Sequence, residues 1–191
     1  MEYEERNFSG AVWHHQEFEH ESFRHAILDY AEIRHCRFVH CDFTGVSLKS
    51  AVIKDSMFVA CEWKWALLFG ASLVDLKMTA GVFDEADLRG AVIRGGNWSA
   101  SRLRNQYLRQ QDFSGMSWKD ADFYRADLRD CNFTHADLTR VMLTQAKLAG
   151  ADLRGAEIGG IDWKTVDLNK VKVDSAQAIL IARSFGAQVI D

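Results

Sequence analysis

The chain has 191 residues, of which 48% are apolar and 26% charged, and its formal net charge is −4 at pH 7. This length suits one domain, and a weakly acidic chain lacks the basic surface that direct nucleic-acid binding requires. There is no proline, no signal peptide and no run apolar enough for a transmembrane helix. We therefore expect a cytoplasmic protein that does not enter a membrane.

A large apolar residue occurs at every fifth position from Phe8 to Val173, 34 times in succession without an insertion. We call these the centre positions. In the stretch 121–156, a small or compact residue such as Ala121 or Ala151 lies two places before each centre, at what we call the small position. Neither a helix nor a strand sustains a five-residue period. The repeat therefore predicts a solenoid whose units bury their apolar faces on one another.

The centre positions also indicate how many sides a coil has. Taken at 20-residue spacing, the column from Phe23 to Trp163 is aromatic at six of eight places. The column from Phe8 to Leu168 is aromatic at one of nine. Like side chains would stack in successive coils. We thus predict an all-β solenoid with four sides and about eight to nine coils.

The units Ala86–Gly90 and Ala151–Gly155 both read ADLRG, and Ala126–Leu128 reads ADL. In these residues the chain resembles the pentapeptide-repeat family, whose consensus is A(D/N)LXX, over roughly residues 6–173. The resemblance implies a right-handed quadrilateral β-helix with one pentapeptide per side. The handedness comes from the resemblance alone.

The four cysteines all occupy the small position, and we interpret them as buried, reduced thiols: Cys36, Cys41, Cys61 and Cys131. Cys41 and Cys61 are one coil apart, so a disulfide there is geometrically conceivable. Six of the seven histidines occupy the last place of a pentapeptide, at a corner. The corner pairs expected to stack are His15 with His35 and His20 with His40.

We predict that the protein is not an enzyme. A stacked histidine pair supplies two metal ligands where a site needs three or four, and the cysteine spacing fits no zinc pattern. No catalytic motif or glycine-rich phosphate loop occurs. An unbroken rod would also offer a surface but no cleft. The sequence therefore predicts no catalytic residues, no metal and no cofactor.

After Val173 the five-residue repeat stops, which divides the chain into a β-helix (1–173) and a C-terminal helix and tail (174–191). Asp174 is a favourable N-cap, and Gly186 is typical of the residue that ends a helix. The tail has more apolar surface than an end cap needs, so we predict that it also forms an end-to-end homodimer. A simple cap is the alternative. The predicted dimer interface consists of Ile179, Leu180, Ile181, Phe185, Val189 and Ile190.

The order of Asp174–Ala178, an apolar helix, Gly186 and Val189–Asp191 is similar to the C-terminus of the Qnr/MfpA-type proteins. That resemblance implies a dimer that binds DNA gyrase or topoisomerase IV and modulates it, or protects it from poisons such as quinolones. The coils carry no projecting loops, unlike the Qnr branch. Binding or inhibition of gyrase is therefore a closer expectation than drug protection.

The physical mechanism would be DNA mimicry by outward-facing carboxylates, one place before the centres. The candidates are Asp112, Asp122, Asp127, Asp137, Asp152, Glu157, Asp162 and Asp167. Yet residues 96–191 hold 12 acids and 13 bases, and an aspartate at this place can also bond to turn backbone. Arg89, Arg109 and Arg129 form a stripe that could neutralise these carboxylates or meet an acidic partner.

Trp65, Leu67 and Phe69 are apolar at positions that should face outwards. They form a candidate contact surface for a partner, although packing along the side of the rod is the alternative. A second class of function therefore stays open. The chain could be a scaffold for another protein, or a self-immunity factor against a topoisomerase-targeting toxin.

Overall fold

The computed structural model describes residues 3–190, which form a parallel β-solenoid followed by one α-helix. Backbone partners are 20 residues apart, from Asn7 with Ile27 to Asp152 with Lys172. Four pentapeptides therefore complete one coil, and the rod has about eight coils. The coils are right-handed, which is the usual hand when parallel strands are joined by a crossover. The predicted four-sided β-helix is confirmed.

We name the four sides in chain order. Side A contains residues 11–15, side B 16–20, side C 21–25 and side D 26–30, and later coils repeat this order. Sides A and B of the first coils are short strands: β1 Val12–His14, β2 Glu17–Glu19, β3 Glu32–Arg34, β4 Arg37–Val39, β5 Val52–Lys54, β6 Met57–Val59, β7 Ser72–Thr79 and β8 Val92–Asn97. Because β7 runs along both sides, it joins them in one sheet of order β1-β3-β5-β7-β6-β4-β2, and β8 pairs with β7.

Sides C and D, and all four sides beyond Trp98, are built from tight turns instead. In most of these turns the N–H three residues after a centre donates to the carbonyl of that centre, as from Ala121 to Trp118 at 2.8 Å. Side B changes from strand to turn at Asn97, whose Oδ1 accepts the N–H of Ser99 at 2.9 Å. Such a side-chain bond favours a turn over an extended strand.

The corners share one backbone conformation. Every fifth residue from Glu5 to Gly160 has a positive φ, and most of these residues are not glycine. A left-handed residue with a Cβ costs about 1–2 kcal/mol, and here the bonds between coils hold it in place. Corner side chains stack along the rod, as predicted for the histidines: the ring centroids of His15 and His35, like those of His20 and His40, are 5.1 Å apart.

The core is the column of centre positions. From Phe23 to Trp163 every centre is at most 4% exposed. Rings stack in register: Phe38 lies 4.6 Å from Phe58 at an interplanar angle of 4°. Tyr3 stacks on Phe23 at 4.9 Å and covers part of the N-terminal end.

The last coil departs from the repeat before the sequence pattern ends. Residues Trp163–Thr165 form a 3₁₀ helix that begins after Asp162, whose side chain accepts the N–H of Lys164. Helix α1, Ser175–Ser184, follows. As predicted, Asp174 is its N-cap, in a capping box with Gln177, and Gly186 follows its end with φ +89°.

Helix α1 is bonded to the rod through its first turn. The Gln177 side-chain amide donates to the carbonyls of Leu153 and Ala156, the latter at 2.8 Å. The Asp174 carboxylate accepts the N–H of Gly155 at 2.8 Å. These bonds satisfy backbone groups that a further coil would otherwise satisfy. The C-terminal end is thus closed by α1.

On side D, backbone hydrogen bonds are missing between residues 86–90 and the next coil, residues 106–110. Gln106 occupies a small position, and its Nε2 donates to the carbonyls of Phe83 at 2.9 Å and Ala86 at 3.1 Å. Among residues 3–190, the N–H of Leu88 then has no acceptor. The equivalent N–H one coil earlier, that of Leu68, donates to the backbone carbonyl of Asp87 at 2.8 Å. A long polar side chain therefore separates two coils.

Gln111 separates the same two coils on side A. Its Nε2 donates to the carbonyl of Ala91 at 2.9 Å, and its Oε1 accepts the N–H of Ile93 at 3.3 Å. Sides B and C remain bonded at this level, as from Trp98 N–H to Ser117 at 2.7 Å. The opening is confined to one flank of the rod. The prediction of a rod without a cleft is wrong at this junction. It was based on the centre positions, and a glutamine at the small position leaves those unchanged.

Candidate interaction surfaces

The open junction forms a recess of about 680 Å³ at the corner between sides C and D. It draws on three successive coils, with Glu85 at the corner of the middle one. The lining residues are Lys64, Trp65, Asp84, Glu85, Ala86, Asp87, Leu88, Arg89, Arg104, Asn105, Gln106 and Tyr107. A rod of repeated flat sides thus contains a concave place large enough for a ligand group.

Two aromatic side chains border the recess. Trp65 is 58% exposed and Tyr107 53% exposed. On the adjoining side D, Leu67 and Phe69 are 37% and 56% exposed. The outward orientation predicted for Trp65, Leu67 and Phe69 is therefore present. Of these residues only Trp65 lines the recess, as Tyr107 does.

Most charged groups in the recess already have an ionic partner. The pairs are Lys64 with Glu62, Asp84 with Arg102, Asp87 with Arg89, and Arg104 with Asp122. Within residues 3–190, the Glu85 carboxylate has neither an ion pair nor a hydrogen bond. The recess therefore carries one uncompensated negative charge.

The eight candidate carboxylates lie on all four sides rather than on one. Asp112 and Asp152 are on side A, Asp137 and Glu157 on side B, Asp122 and Asp162 on side C, and Asp127 and Asp167 on side D. Seven of them, all except Glu157, accept the N–H two residues on, within their own turn. These carboxylates therefore serve the fold, whatever else they bind.

Arginines neutralise several of the carboxylates. Arg129 lowers the pKa of Asp127 through a hydrogen bond, at 2.5 Å between Nη2 and Oδ2, and burial opposes this shift. Arg154 lowers the pKa of Asp152 in the same way. The stripe of Arg89, Arg109 and Arg129 is paired throughout with Asp87, Asp130 and Asp127.

Five of the eight carboxylates have no arginine or lysine partner within 4.0 Å among the described residues: Asp112, Asp137, Glu157, Asp162 and Asp167. Asp112 instead accepts a hydrogen bond from the Asn132 side chain at 2.9 Å. Asp137 and Glu157 are direct neighbours on side B. Glu157, Asp162 and Asp167 follow one another around the last coil. Four of these five acids, all except Asp112, therefore lie towards the C-terminal end.

Helix α1 covers that end and exposes apolar groups of its own. Leu180, Phe185 and Ile190 are 47%, 57% and 88% exposed. Ile181, in contrast, is 9% exposed and belongs to the core, so it contributes to the cap and not to an outer face. Ile179 and Val189 are half-buried. A second cavity, of about 280 Å³, lies between α1 and the last coil.

The four cysteines are free and buried. Burial raises the pKa of the Cys131 thiol to about 12 and raises that of Cys36 as well. Within residues 3–190 no group of three or more histidine, cysteine or acidic side chains could hold a metal ion. Over the same range no helix is long and apolar enough to cross a membrane.

Sequence reasoning missed the recess. Its signal was present: Gln106 and Gln111 stand at small positions, where most other coils have alanine, serine or cysteine. Tyr107 is also apolar at an outward position, like Leu67 two coils before it. Neither residue disturbs the column of centres, so the five-residue pattern gave no warning.

The model of the family described as "Pentapeptide repeats (8 copies)" matches residues 7–45, 101–140 and 121–160. No curated protein matches the chain. Among solved structures, a trypsin-treated form of QnrB1, a plasmid-mediated fluoroquinolone resistance protein, is 21% identical with a TM-score of 0.55. That match covers 96% of this chain and 100% of the QnrB1 chain.

A second solved structure is HetL, a pentapeptide repeat protein involved in heterocyst differentiation regulation in the cyanobacterium Nostoc. It is 21% identical, with coverage of 87% and 89% and a TM-score of 0.46. At these identities the likenesses concern the fold alone.

Proposed function

Since the chain belongs to the pentapeptide-repeat family, we propose that it is a non-enzymatic protein of the Qnr/MfpA type that occupies the DNA-binding surface of cytoplasmic DNA gyrase or topoisomerase IV. The observation that carries this proposal is a capped rod that runs almost the whole length of the chain. QnrB1, a fluoroquinolone resistance protein, has the same fold over 96% of this chain. That likeness supports the choice of target class.

The dimensions of the rod suit a DNA mimic. At about 4.8 Å per coil, eight coils span about 40 Å. Two rods joined at their capped ends would span about 80 Å, somewhat more than two turns of B-DNA at about 34 Å each. A dimer of this kind could follow a basic saddle that normally holds a DNA duplex.

The acids that take part in mimicry are the unpaired ones towards the C-terminal end. Asp137, Glu157, Asp162 and Asp167 lie near the capped end, close to the axis of the proposed dimer. Asp122, Asp127 and Asp152 are neutralised by arginines and act in the fold. Since residues 96–191 have a net charge of +1, the mimicry is local and does not depend on overall acidity.

The dimer is formed by the outer face of α1 and the tail. Leu180, Phe185 and Ile190 have no partner surface within the described chain large enough to cover them. A two-fold contact would bury them against their copies. It would also bring the unpaired acids of two rods into one continuous surface.

A gyrase supercoiling assay tests the target. Purified protein at micromolar concentration should reduce supercoiling, or reduce cleavage in the presence of ciprofloxacin. The double variant Asp137→Asn/Glu157→Gln should require about three- to tenfold more protein for the same effect, since it loses two charges that face the enzyme.

The matched control is Glu17→Gln/Glu19→Gln, which removes two exposed acids from the same side at the opposite end of the rod. It should leave inhibition unchanged. If the wild type affects neither supercoiling nor cleavage, the target is wrong, and a scaffold for another protein becomes the better account. The exposed apolar region around Trp65 favours that second function.

Light scattering tests the dimer. The wild type should have twice the monomer mass of 21.7 kDa. Leu180→Lys should yield the monomer, because it buries a charge in the proposed contact. Met142→Lys, at a residue equally exposed on side C, should remain dimeric. A monomeric wild type would exclude end-to-end association.

A further inference from the structure

We propose that the recess at the open junction is a binding site for an arginine side chain presented by a segment of a partner protein. The recess lies on the flank of the rod, away from the capped end. The inference does not rest on the proposed topoisomerase target, and it concerns a different surface.

The size of the recess fits a side chain together with its flanking backbone. Its volume of about 680 Å³ is typical of ligand pockets and exceeds what a guanidinium group fills. One wall also offers a free backbone donor. Leu88 N–H lacks an acceptor among residues 3–190, because Gln106 holds the neighbouring coil away. An extended peptide can satisfy such a group as an added strand would.

The charge of the recess selects a cation. Lys64, Asp84, Asp87, Arg89 and Arg104 are all compensated by ion pairs. What remains is the exposed carboxylate of Glu85, on the middle one of the three lining coils. An anion would find no free positive group there, whereas a cation would find a free carboxylate.

The aromatic border favours arginine over lysine. Trp65 stands at the same corner as Glu85, one coil earlier, so their backbones are about 4.8 Å apart. A planar guanidinium can stack on the indole and meet a carboxylate at its edge, whereas an ammonium group cannot do both. Trp65 is not needed by its turn, since Ala60 and Ala80 adopt the same left-handed conformation at other corners.

The test is a titration with acetylated and amidated Gly-Gly-Arg-Gly-Gly. The indole N–H resonance of Trp65, assigned by its loss in Trp65→Ala, should shift on binding. The lysine peptide should bind more weakly. The peptide with citrulline, which has the shape of arginine without its charge, should not bind. Equal shifts with arginine and citrulline would overturn the proposal.

Variants locate the site by calorimetry with the arginine peptide. Glu85→Gln should weaken binding about threefold and Trp65→Ala about fivefold. Both substitutions suit the corner, because Gln110 and Ala80 occupy equivalent places. Glu157→Gln, an unpaired acid elsewhere on the rod, is the matched control and should bind like the wild type. An unchanged affinity in Glu85→Gln would contradict the role of this carboxylate.

Closing the recess gives an independent readout. Gln106→Ala introduces the residue found at most small positions of side D. The carbonyl of Ala86 can then accept the N–H of Tyr107, as the carbonyl of Ala66 accepts the N–H of Asp87. Hydrogen exchange at Leu88 should slow about tenfold, and peptide binding should be lost. If binding survives while Leu88 becomes protected, the recess is not the site. If acetyl-arginine amide binds as tightly as the peptide, the flanking segment plays no part.

Discussion

The N-terminal and C-terminal halves of the rod share one five-residue repeat but differ in backbone conformation. Up to Asn97, sides A and B are strands, and the core contains rings stacked nearly parallel, such as Phe38 on Phe58. Beyond Trp98 every side is a turn, and aspartate–arginine pairs follow the surface, such as Asp127 with Arg129. The centre positions are apolar in both halves.

In the C-terminal half the residue before the centre is often an aspartate, which stabilises the turn. Val52 and Met57 stand at this place in strands. Asp112 and Asp137 stand there in turns, and each accepts an N–H within its own turn. The ladder opens where strand meets turn on side A, between Val92 and Asp112. The recess lies at the same level of the rod, at the corner between sides C and D.

The largest expected effect is on the stacked rings of the N-terminal half. Phe58→Ala should lower the free energy of unfolding by about 3–5 kcal/mol, because it leaves a void inside a close-packed column. Leu138→Ala, on the same side of the C-terminal half, should cost less because it removes a smaller volume. Urea unfolding measures both. A larger loss for Leu138→Ala would show that ring stacking is not the stronger support.

The second-largest expected effect is at the end of strand β8, where side B changes from strand to turn. Gly96→Ala should destabilise the protein by about 2–3 kcal/mol, because the added Cβ overpacks the coil below. That Cβ would lie 2.1 Å from the carbonyl oxygen of Leu76. Gly159→Ala is the control, since a Cβ there meets no atom within 4 Å. Equal melting temperatures for the two variants would contradict the close approach.

A smaller effect tests the turn bond of the C-terminal half. Asp137→Ala removes the acceptor for the Thr139 N–H and should cost about 0.5–1.5 kcal/mol. Glu157→Ala, one coil on and without such a bond, should change the free energy of unfolding by less than about 0.5 kcal/mol. If both cost the same, the turn bond contributes nothing of its own.

The smallest effect depends on pH. The pKa of Asp127 is lowered in the folded state, first by Arg129. Its stabilisation is therefore present above the unfolded pKa of about 3.9 and is lost as pH falls through the lower folded value. Asp127→Asn keeps the turn acceptor and should cost about 0.5 kcal/mol at pH 7. In urea unfolding this cost should shrink below pH 4; a constant cost would exclude the ion pair as its source.

Most of the fold could be predicted because an apolar residue recurs at every fifth position without interruption. The centres, the corners and the cap of Asp174, Gln177 and Gly186 each follow from local residue chemistry. The 3₁₀ helix at Trp163–Thr165 could not be predicted, since the repeat continues through it in the sequence. There the backbone is no longer held by a following coil of the same form.

The interaction surfaces were less accessible to sequence reasoning. Outward positions could be identified for Trp65 and Glu157. Whether an acid is paired depends on which arginine lies within reach, as Arg104 reaches Asp122 from the coil before. Contacts of that kind follow from rotamers, not from spacing. The recess depends on one side chain, Gln106, turning to bond the adjacent coil rather than on any repeating feature.

The way in which α1 holds the rod has a consequence for chain length. Gln177 bonds Leu153 and Ala156 as Gln106 bonds Phe83 and Ala86, so the helix engages whichever coil precedes it through groups that every coil possesses. The contacts of the cap therefore do not depend on the number of coils in the rod. Excision or duplication of one 20-residue unit, such as 121–140, should yield a shorter or longer member of a modular series with the same terminus.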